Sequence, residues 1–179
     1  MYIMAAMDHV TPINRAQQQQ VVETTRAFIT LGEAHFGRPF GEVPVLFNLR
    51  GKTSGMYRVR GERREIRYNP WIFALHYEES LTVTVPHEVA HYLTDRVYGL
   101  RNIRPHGREW KALMAVFGAD PSVTSSYSLA GIPQRRVTTY TYHCRCGSHQ
   151  LGPQRHRRIL GGRSLYRCRR CDDVLRAQP

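Results

Sequence analysis

His87, Glu88 and His91 constrain this chain more than any other feature, because they form an HExxH pattern inside an apolar stretch. Residues four apart on a helix share a face, so a helical segment lets both imidazoles hold one metal ion. Glu88 is offset by about 100 degrees from His87, which sets its carboxylate beside a metal-held water rather than on the metal. Zinc lowers the pKa of such a water toward about 7 and polarises a carbonyl, while the neighbouring carboxylate takes the proton. The pattern therefore predicts a zinc peptidase helix with Glu88 as general base. Val85, Val89, Ala90 and Leu93 supply the apolar surroundings that a half-buried active-site helix requires.

A zinc site of this kind needs a third protein ligand. A metzincin places a histidine six residues after the second one, but Val97 stands there and Thr94 replaces the glycine, which excludes that class. His106 and Glu109 remain, one helical turn apart. His106 would make an all-histidine site and Glu109 a site of two histidines and a glutamate; spacing alone leaves both open.

The rest of the first 133 residues reads as an α+β domain. Thr11 and Pro12 suggest the start of a long helix running to about His35, ended by Gly37 and Pro39. Val43 to Leu49, Met56 to Arg60 and Glu65 to Tyr68 read as strands of a small antiparallel sheet whose arginines form a solvated face. Trp71 to Leu75 reads as a short helix or turn with Trp71 in the core. The motif helix is expected over Ser80 to Tyr98, with Thr82 or Thr84 as cap and Pro86 tolerable only in a first turn or at a kink. Arg108 to Phe117 reads as a further helix, with Trp110, Leu113, Met114 and Phe117 on one side. Asp95 reads as a helix-surface carboxylate and His76 as structural or exposed. Tyr92, Tyr127 and several arginines are all candidates for stabilising an oxyanion.

Residues 119–139, rich in Ser, Thr, Pro and Gly, resemble a linker, and the chain changes character beyond them. Residues 1–133 carry 15 basic against 12 acidic side chains, whereas residues 134–179 carry 11 against 2, so most of the net charge of +12 lies in the tail. All 11 are arginines, whose planar fork pairs well with phosphate, and this points to a polyanionic partner, nucleic acid foremost. Cys144, Cys146, Cys168 and Cys171 lie in the same tail as a CxC and a CxxC pair. Together they suit a second, structural zinc in a module too small for its own core. His149, three residues after Cys146, is an alternative ligand to Cys144. Arg155, Arg157, Arg158, Arg169 and Arg170 would then form a basic surface, with Tyr140, Tyr142 and Tyr166 nearby.

The stretch VPHEVAHYL (Val85 to Leu93) followed by PHGREW (Pro105 to Trp110) resembles the SprT family of bacterial proteins, relatives of the Spartan DNA-protein crosslink proteases. The likeness extends through IRYNP (Ile66 to Pro70) and into the tail, where CRCGSHQL, RHRRI and YRCRRC resemble that family's zinc-ribbon-like region. The resemblance implies that His106 is the third zinc ligand and leaves Glu109 beside the site or on the helix surface.

These readings give two units: a zincin-like metallopeptidase domain over residues 1–133 and a basic zinc-ribbon-like module over 134–179. The expected activity is zinc-dependent hydrolysis of protein held near DNA. The alternative is a non-enzymatic DNA-binding or regulatory zinc protein, which would have no need of Glu88. The first ten residues lack a charged start followed by an apolar run, and no stretch of about 18 apolar residues occurs, so a cytoplasmic protein with no membrane partner is expected.

Overall fold

Asn14 starts α1 (Arg15–Phe36) with a reciprocal cap. Its side-chain oxygen accepts from the Gln17 N–H at 2.9 Å, and Gln17 Oε1 accepts from the Asn14 N–H at 3.0 Å. The helix thus begins after the Thr11–Pro12 pair, because the Ile13 N–H is taken by Pro70 O at 3.0 Å. Gly37, at φ 65°, closes it. The structure is a computed structural model that describes residues 10–122, 128–132 and 138–177, and the chain divides into two compact units, Met1–Gln134 and Arg135–Pro179. Tyr127 lies outside the described residues.

In the first unit β1 (Val45–Leu46), β2 (Gly55–Arg60) and β3 (Arg63–Tyr68) form a sheet in the order β1-β3-β2. β2 and β3 are an antiparallel hairpin, but β1 pairs parallel to β3, with Val45 opposite Ile66. The sheet is therefore mixed rather than antiparallel. After β1 the chain crosses one end of the sheet to the far edge, runs back along β2 and returns through the hairpin to the central strand. Only two residues of the expected 43–49 strand join the ladder. The buried Asn69 side chain then joins sheet to helix. Its oxygen caps α2 (Pro70–Leu75) through the Trp71 and Ile72 N–H groups, and its amide donates to Gly51 O and Thr53 O. Trp71 is only half-buried, with the Arg50 guanidinium 4.9 Å from its ring; Ile72 and Phe73 fill the core in its place.

A short α3 (Tyr77–Glu79) runs through a π-helical turn, Ser80–Thr84, into α4 (Val85–Tyr98). The Val85 N–H bonds back to Ser80 O, so the chain enters α4 already hydrogen-bonded and Pro86 falls in its first turn, where its missing N–H is tolerated. Neither threonine acts as the expected cap. Thr82 donates to Glu78 O and Glu79 O, and Thr84 makes no side-chain capping bond, because a helix continued from a π turn has no ordinary N-terminus to cap.

Helix α4 packs against α1, β2 and α5 (Arg108–Val116). Val85, Val89, Ala90 and Leu93 are fully buried with Val21, Ile66, Tyr68, Phe73 and Met114 in one core. Each large apolar side chain there contributes about 1.5–3 kcal/mol of burial. At the α1–α4 crossing a Cβ on Gly32 would lie 2.2 Å from Leu93 Cδ1, so glycine permits the close approach.

The second unit holds a sheet of β4 (Tyr140–Cys144), β5 (Gly147–Leu151) and β6 (Arg176–Ala177) in the order β5-β4-β6, with α6 (Pro153–Leu160) following β5. Among the described residues its buried core is Tyr142, Leu151, Cys168 and Leu175, with Tyr140, Ile159 and Tyr166 partly buried against it. Both units mix helices with small sheets, an α+β architecture. Among the described residues no helix is long and apolar enough to cross a membrane.

Candidate metal centres

Three imidazoles meet at one point of the first unit. The Nε2 atoms of His87 and His91 are 3.2 Å apart, and that of His106 lies 3.0 Å from each. A tetrahedral zinc ion with bonds of about 2.0–2.1 Å has ligand edges of about 3.3–3.4 Å, so the nitrogen triangle fits such an ion. Three lone-pair-bearing nitrogens this close also repel one another unless a cation or shared protons lie among them. Burial, then the neighbouring imidazoles, pushes His87 down to about 4 and His91 to about 3, and burial with Lys111 lowers His106. All three are therefore neutral near pH 7, the form that binds metal.

The backbone explains how His106 reaches the helix. His106 adopts φ 55°, a left-handed conformation rare outside glycine, and the next residue, Gly107, closes a turn onto Arg104 O at 2.9 Å. A Cβ on Gly107 would meet that same carbonyl at 2.9 Å. Strain of about 1–3 kcal/mol at such a position persists only where its surroundings hold it. Trp110 does so: fully buried, it packs against His87 and His106 at centroid distances of 4.7 Å and against His91 at 5.6 Å. Its indole N–H donates to His87 O at 3.3 Å. Glu109, the other candidate ligand, turns to Arg108 at 2.7 Å and stays out of the histidine cluster.

Glu88 is 6% exposed, and its Oε2 accepts from the Tyr57 N–H of β2 at 2.6 Å. Burial raises its pKa to about 8 against the opposing pull of that hydrogen bond. Gly55 makes room for it, since a Cβ there would lie 2.7 Å from Glu88 Cγ and from Thr84 Cγ2. Asp95 is buried rather than on the surface. It accepts from the Tyr57 hydroxyl at 2.6 Å, Arg64 Nε at 2.8 Å and the Leu100 N–H at 3.1 Å. Burial pushes it up, but these donors and the Arg64 charge outweigh that and hold it below the usual carboxylate value. The Tyr92 hydroxyl donates to Phe40 O at 2.8 Å, which turns it away from any role toward an oxyanion. His76 is half-buried, with Nε2 3.1 Å from Ser128 O.

In the second unit the sulfurs of Cys144, Cys146, Cys168 and Cys171 lie within 4.8 Å of one another. The neighbouring separations are 3.4 Å (Cys144 to Cys146), 3.5 Å (Cys146 to Cys168) and 3.6 Å (Cys144 to Cys171). Zinc–sulfur bonds of about 2.3 Å give tetrahedral edges of about 3.8 Å, so this cluster also fits an ion. Backbone N–H groups of Arg170 and Asp173 hold Cys168 and Cys171 low, Cys171 at about 6, which favours thiolates. His149 Nε2 sits 3.2 Å from Cys144 Sγ, beside the four sulfurs rather than in place of one. Of the predicted arginines, Arg157 and Arg158 line a recess of about 350 Å³ together with Gln154 and Arg163. Arg155 lies over the Tyr166 ring, while Arg169 and Arg170 sit between the paired cysteines.

Trp110, Tyr57 and Gly55 were not assigned to the site from sequence. Trp110 is legible as part of PHGREW but only as one of the apolar residues on one side of its helix, while Tyr57 and Gly55 carry no local signal because a strand more than 30 residues away in sequence brings them.

The SprT-like family matches residues 24–128, a span that includes all three histidines and Glu88. Similar proteins include Protein SprT of Klebsiella pneumoniae subsp. pneumoniae, 35% identical over 164 residues that make up 91% of this chain and 95% of that protein. Protein SprT of Serratia proteamaculans is 36% identical over 162 residues, 90% of this chain and 91% of its own. That of Shewanella oneidensis is 34% identical over 155 residues, 86% and 95% respectively. No solved structure matches the chain. The motif helix and the PHGREW turn lie within the family match, the relatives cover 86–91% of the chain, and the chain belongs to the SprT-like family.

Proposed function

We propose that this chain is a zinc-dependent metalloendopeptidase. Its zincin-like domain spans about residues 1–133, its structural zinc module spans 134–179, and it acts on proteins associated with DNA. The observation that carries the reading is the convergence of three neutral Nε2 atoms at 3.0–3.2 Å beside a buried glutamate. His87, His91 and His106 would hold the zinc. When bound, zinc supplies Lewis acidity and positive charge, which favour ionised Glu88 and an acidified water. Glu88 takes the proton of the attacking water and returns it to the nitrogen of the leaving amine, so one carboxylate serves as base and then acid. The Tyr57 N–H keeps that carboxylate in one orientation throughout.

The four cysteines would hold a structural zinc, and the tail arginines would contact phosphates. Arg157, Arg158 and Arg163 around one recess support this, because none of the three makes an ion pair among the described residues. To test the activity, purified protein is incubated with single-stranded DNA and a bait protein, wild type beside Glu88→Gln. Cleavage by the wild type and its loss in the variant are expected. Equal cleavage by both removes Glu88 from the mechanism, and no cleavage under any DNA condition favours a non-enzymatic zinc protein.

A further inference from the structure

The first unit carries a second concentration of arginine, on the face of its sheet that points away from α4. Tyr57 and Arg64 reach inward to Asp95, so strand alternation sends Arg58, Arg60, Arg63 and Arg67 outward. Register places Arg58 opposite Glu65, Met56 opposite Arg67, and Arg60 directly opposite Arg63.

Glu65 is the single carboxylate on this face of the hairpin and is 4% exposed beneath the guanidiniums. It pairs with Arg58, with Arg63 at 3.5 Å and with Arg67 at 3.9 Å. Arg67 Nε also donates to Asn48 Oδ1 at 2.7 Å. The carboxylate therefore orders the cations without neutralising them. Each guanidinium offers five donors, whereas a carboxylate has about four acceptor sites. Arg60 and Arg63 are exposed, whereas Arg58 and Arg67 are half-buried. Arg60 makes no ion pair among the described residues, and Glu62 in the adjoining turn pairs with none of the four arginines. Like charges directly opposite on a ladder are destabilising, so the Arg60–Arg63 pair is a cost to the fold when no anion lies over it.

Four arginines against one glutamate leave this face with an excess of three positive charges. That equals the whole excess of residues 1–133, which carry 15 basic and 12 acidic side chains. The other 11 basic and 11 acidic side chains of residues 1–133 balance in number.

We propose that this sheet face binds the phosphodiester backbone of nucleic acid, a contact separate from the arginines of the second unit. All four cations are arginines, whose fork matches phosphate oxygens in pairs. Met56 is the one exposed large apolar side chain of the sheet among the described residues, so the face lacks the aliphatic groups that would enter a lipid surface.

The test uses the full chain and fluorescent single-stranded and duplex oligonucleotides, with binding measured across a salt series. Arg60→Gln/Arg63→Gln removes two exposed cations that touch neither the histidines nor the cysteines. Affinity should fall roughly tenfold at 0.1 M salt, and the slope of log K against log salt should shrink by about 0.7–0.9 per arginine. The same loss should appear on top of Arg157→Gln/Arg158→Gln in a combined variant. Circular dichroism and zinc content matching wild type show that the variants are folded. Unchanged affinity and slope overturn the proposal, as does a loss seen with phosphatidylserine vesicles but not with oligonucleotides. Peptide cleavage is not the readout, so failure here leaves the peptidase reading standing, and the converse also holds.

Discussion

The Tyr57 backbone N–H donates to Glu88 Oε2 at 2.6 Å, so the edge strand β2, and not the helix that carries the glutamate, sets where its carboxylate lies. The Tyr57 hydroxyl donates to Asp95 at 2.6 Å. Glu88 and Asp95 are seven residues apart, about two turns along one face of α4. A single tyrosine therefore grips the motif helix at both ends of that face, and Arg64 of the neighbouring strand reinforces the far grip.

Asp95→Asn is expected to destabilise the first unit by about 1.5–3 kcal/mol, the range for hydrogen bonds to a charged group. The native carboxyl is held below its unfolded value of about 3.9. Its contribution is therefore complete above pH about 4 and is lost as pH falls through the native pKa. Urea unfolding across pH should show a constant gap between wild type and variant near neutrality that narrows below pH about 4. A gap that widens in acid would contradict this.

Gly55→Ala should impair cleavage much more than stability. The new Cβ would lie 2.7 Å from Glu88 Cγ and 2.8 Å from Oε1, so the glutamate must shift and lose the Tyr57 donor. Overpacking of this kind costs about 1–3 kcal/mol. Zinc content should stay near wild type, because no histidine is displaced. Full activity in the variant would show that the placement of Glu88 is not set by this strand.

The histidine cluster is legible in part, where it is local. His87, Glu88 and His91 declare themselves by spacing, and the α+β class follows from the alternation of periods. His106 could be separated from Glu109 only by resemblance, because the difference lies in a left-handed backbone at His106 that no propensity foretells. Asp95 reads as a surface carboxylate but is buried, because its partners Tyr57 and Arg64 are more than 30 residues away and arrive only through the hairpin register. The parallel pairing of β1, the π turn before Pro86 and the half-exposed Trp71 are likewise set by tertiary packing, which outweighs local preference.

Acid should weaken the metal-free protein well before Asp95 titrates. Burial holds native His87 near 4 and His91 near 3, while unfolded histidine titrates at about 6.5. Below pH about 6.5 the unfolded chain thus takes up protons that the native pair refuses, and stability falls with pH. Glu88, raised to about 8, opposes this because the folded chain binds its proton, so the readout is a difference: the apo midpoint of His87→Ala/His91→Ala should gain on that of wild type as pH falls from about 6.5 to 5. A gap between variant and wild type that stays constant over that range would contradict these histidine pKa values.

Chelation should unfold the second unit and spare the first. A core of four buried side chains among the described residues is too small to hold a module of this size without metal. Limited proteolysis after chelator treatment should cleave within residues 138–177 and leave the α1–α4 core protected. Cys168→Ser should behave like the chelated protein, whereas His149→Ala, which alters only a neighbour of Cys144, should keep its zinc. Equal sensitivity of both units to chelator would argue against a separate structural site.

Zinc content per chain, measured for wild type, His106→Ala and Glu109→Ala, tests the central claim most directly. The geometry predicts two ions in wild type, one for each cluster, with one lost in His106→Ala and none lost in Glu109→Ala. Two ions retained in His106→Ala, or one lost in Glu109→Ala, would contradict a catalytic centre made of His87, His91 and His106.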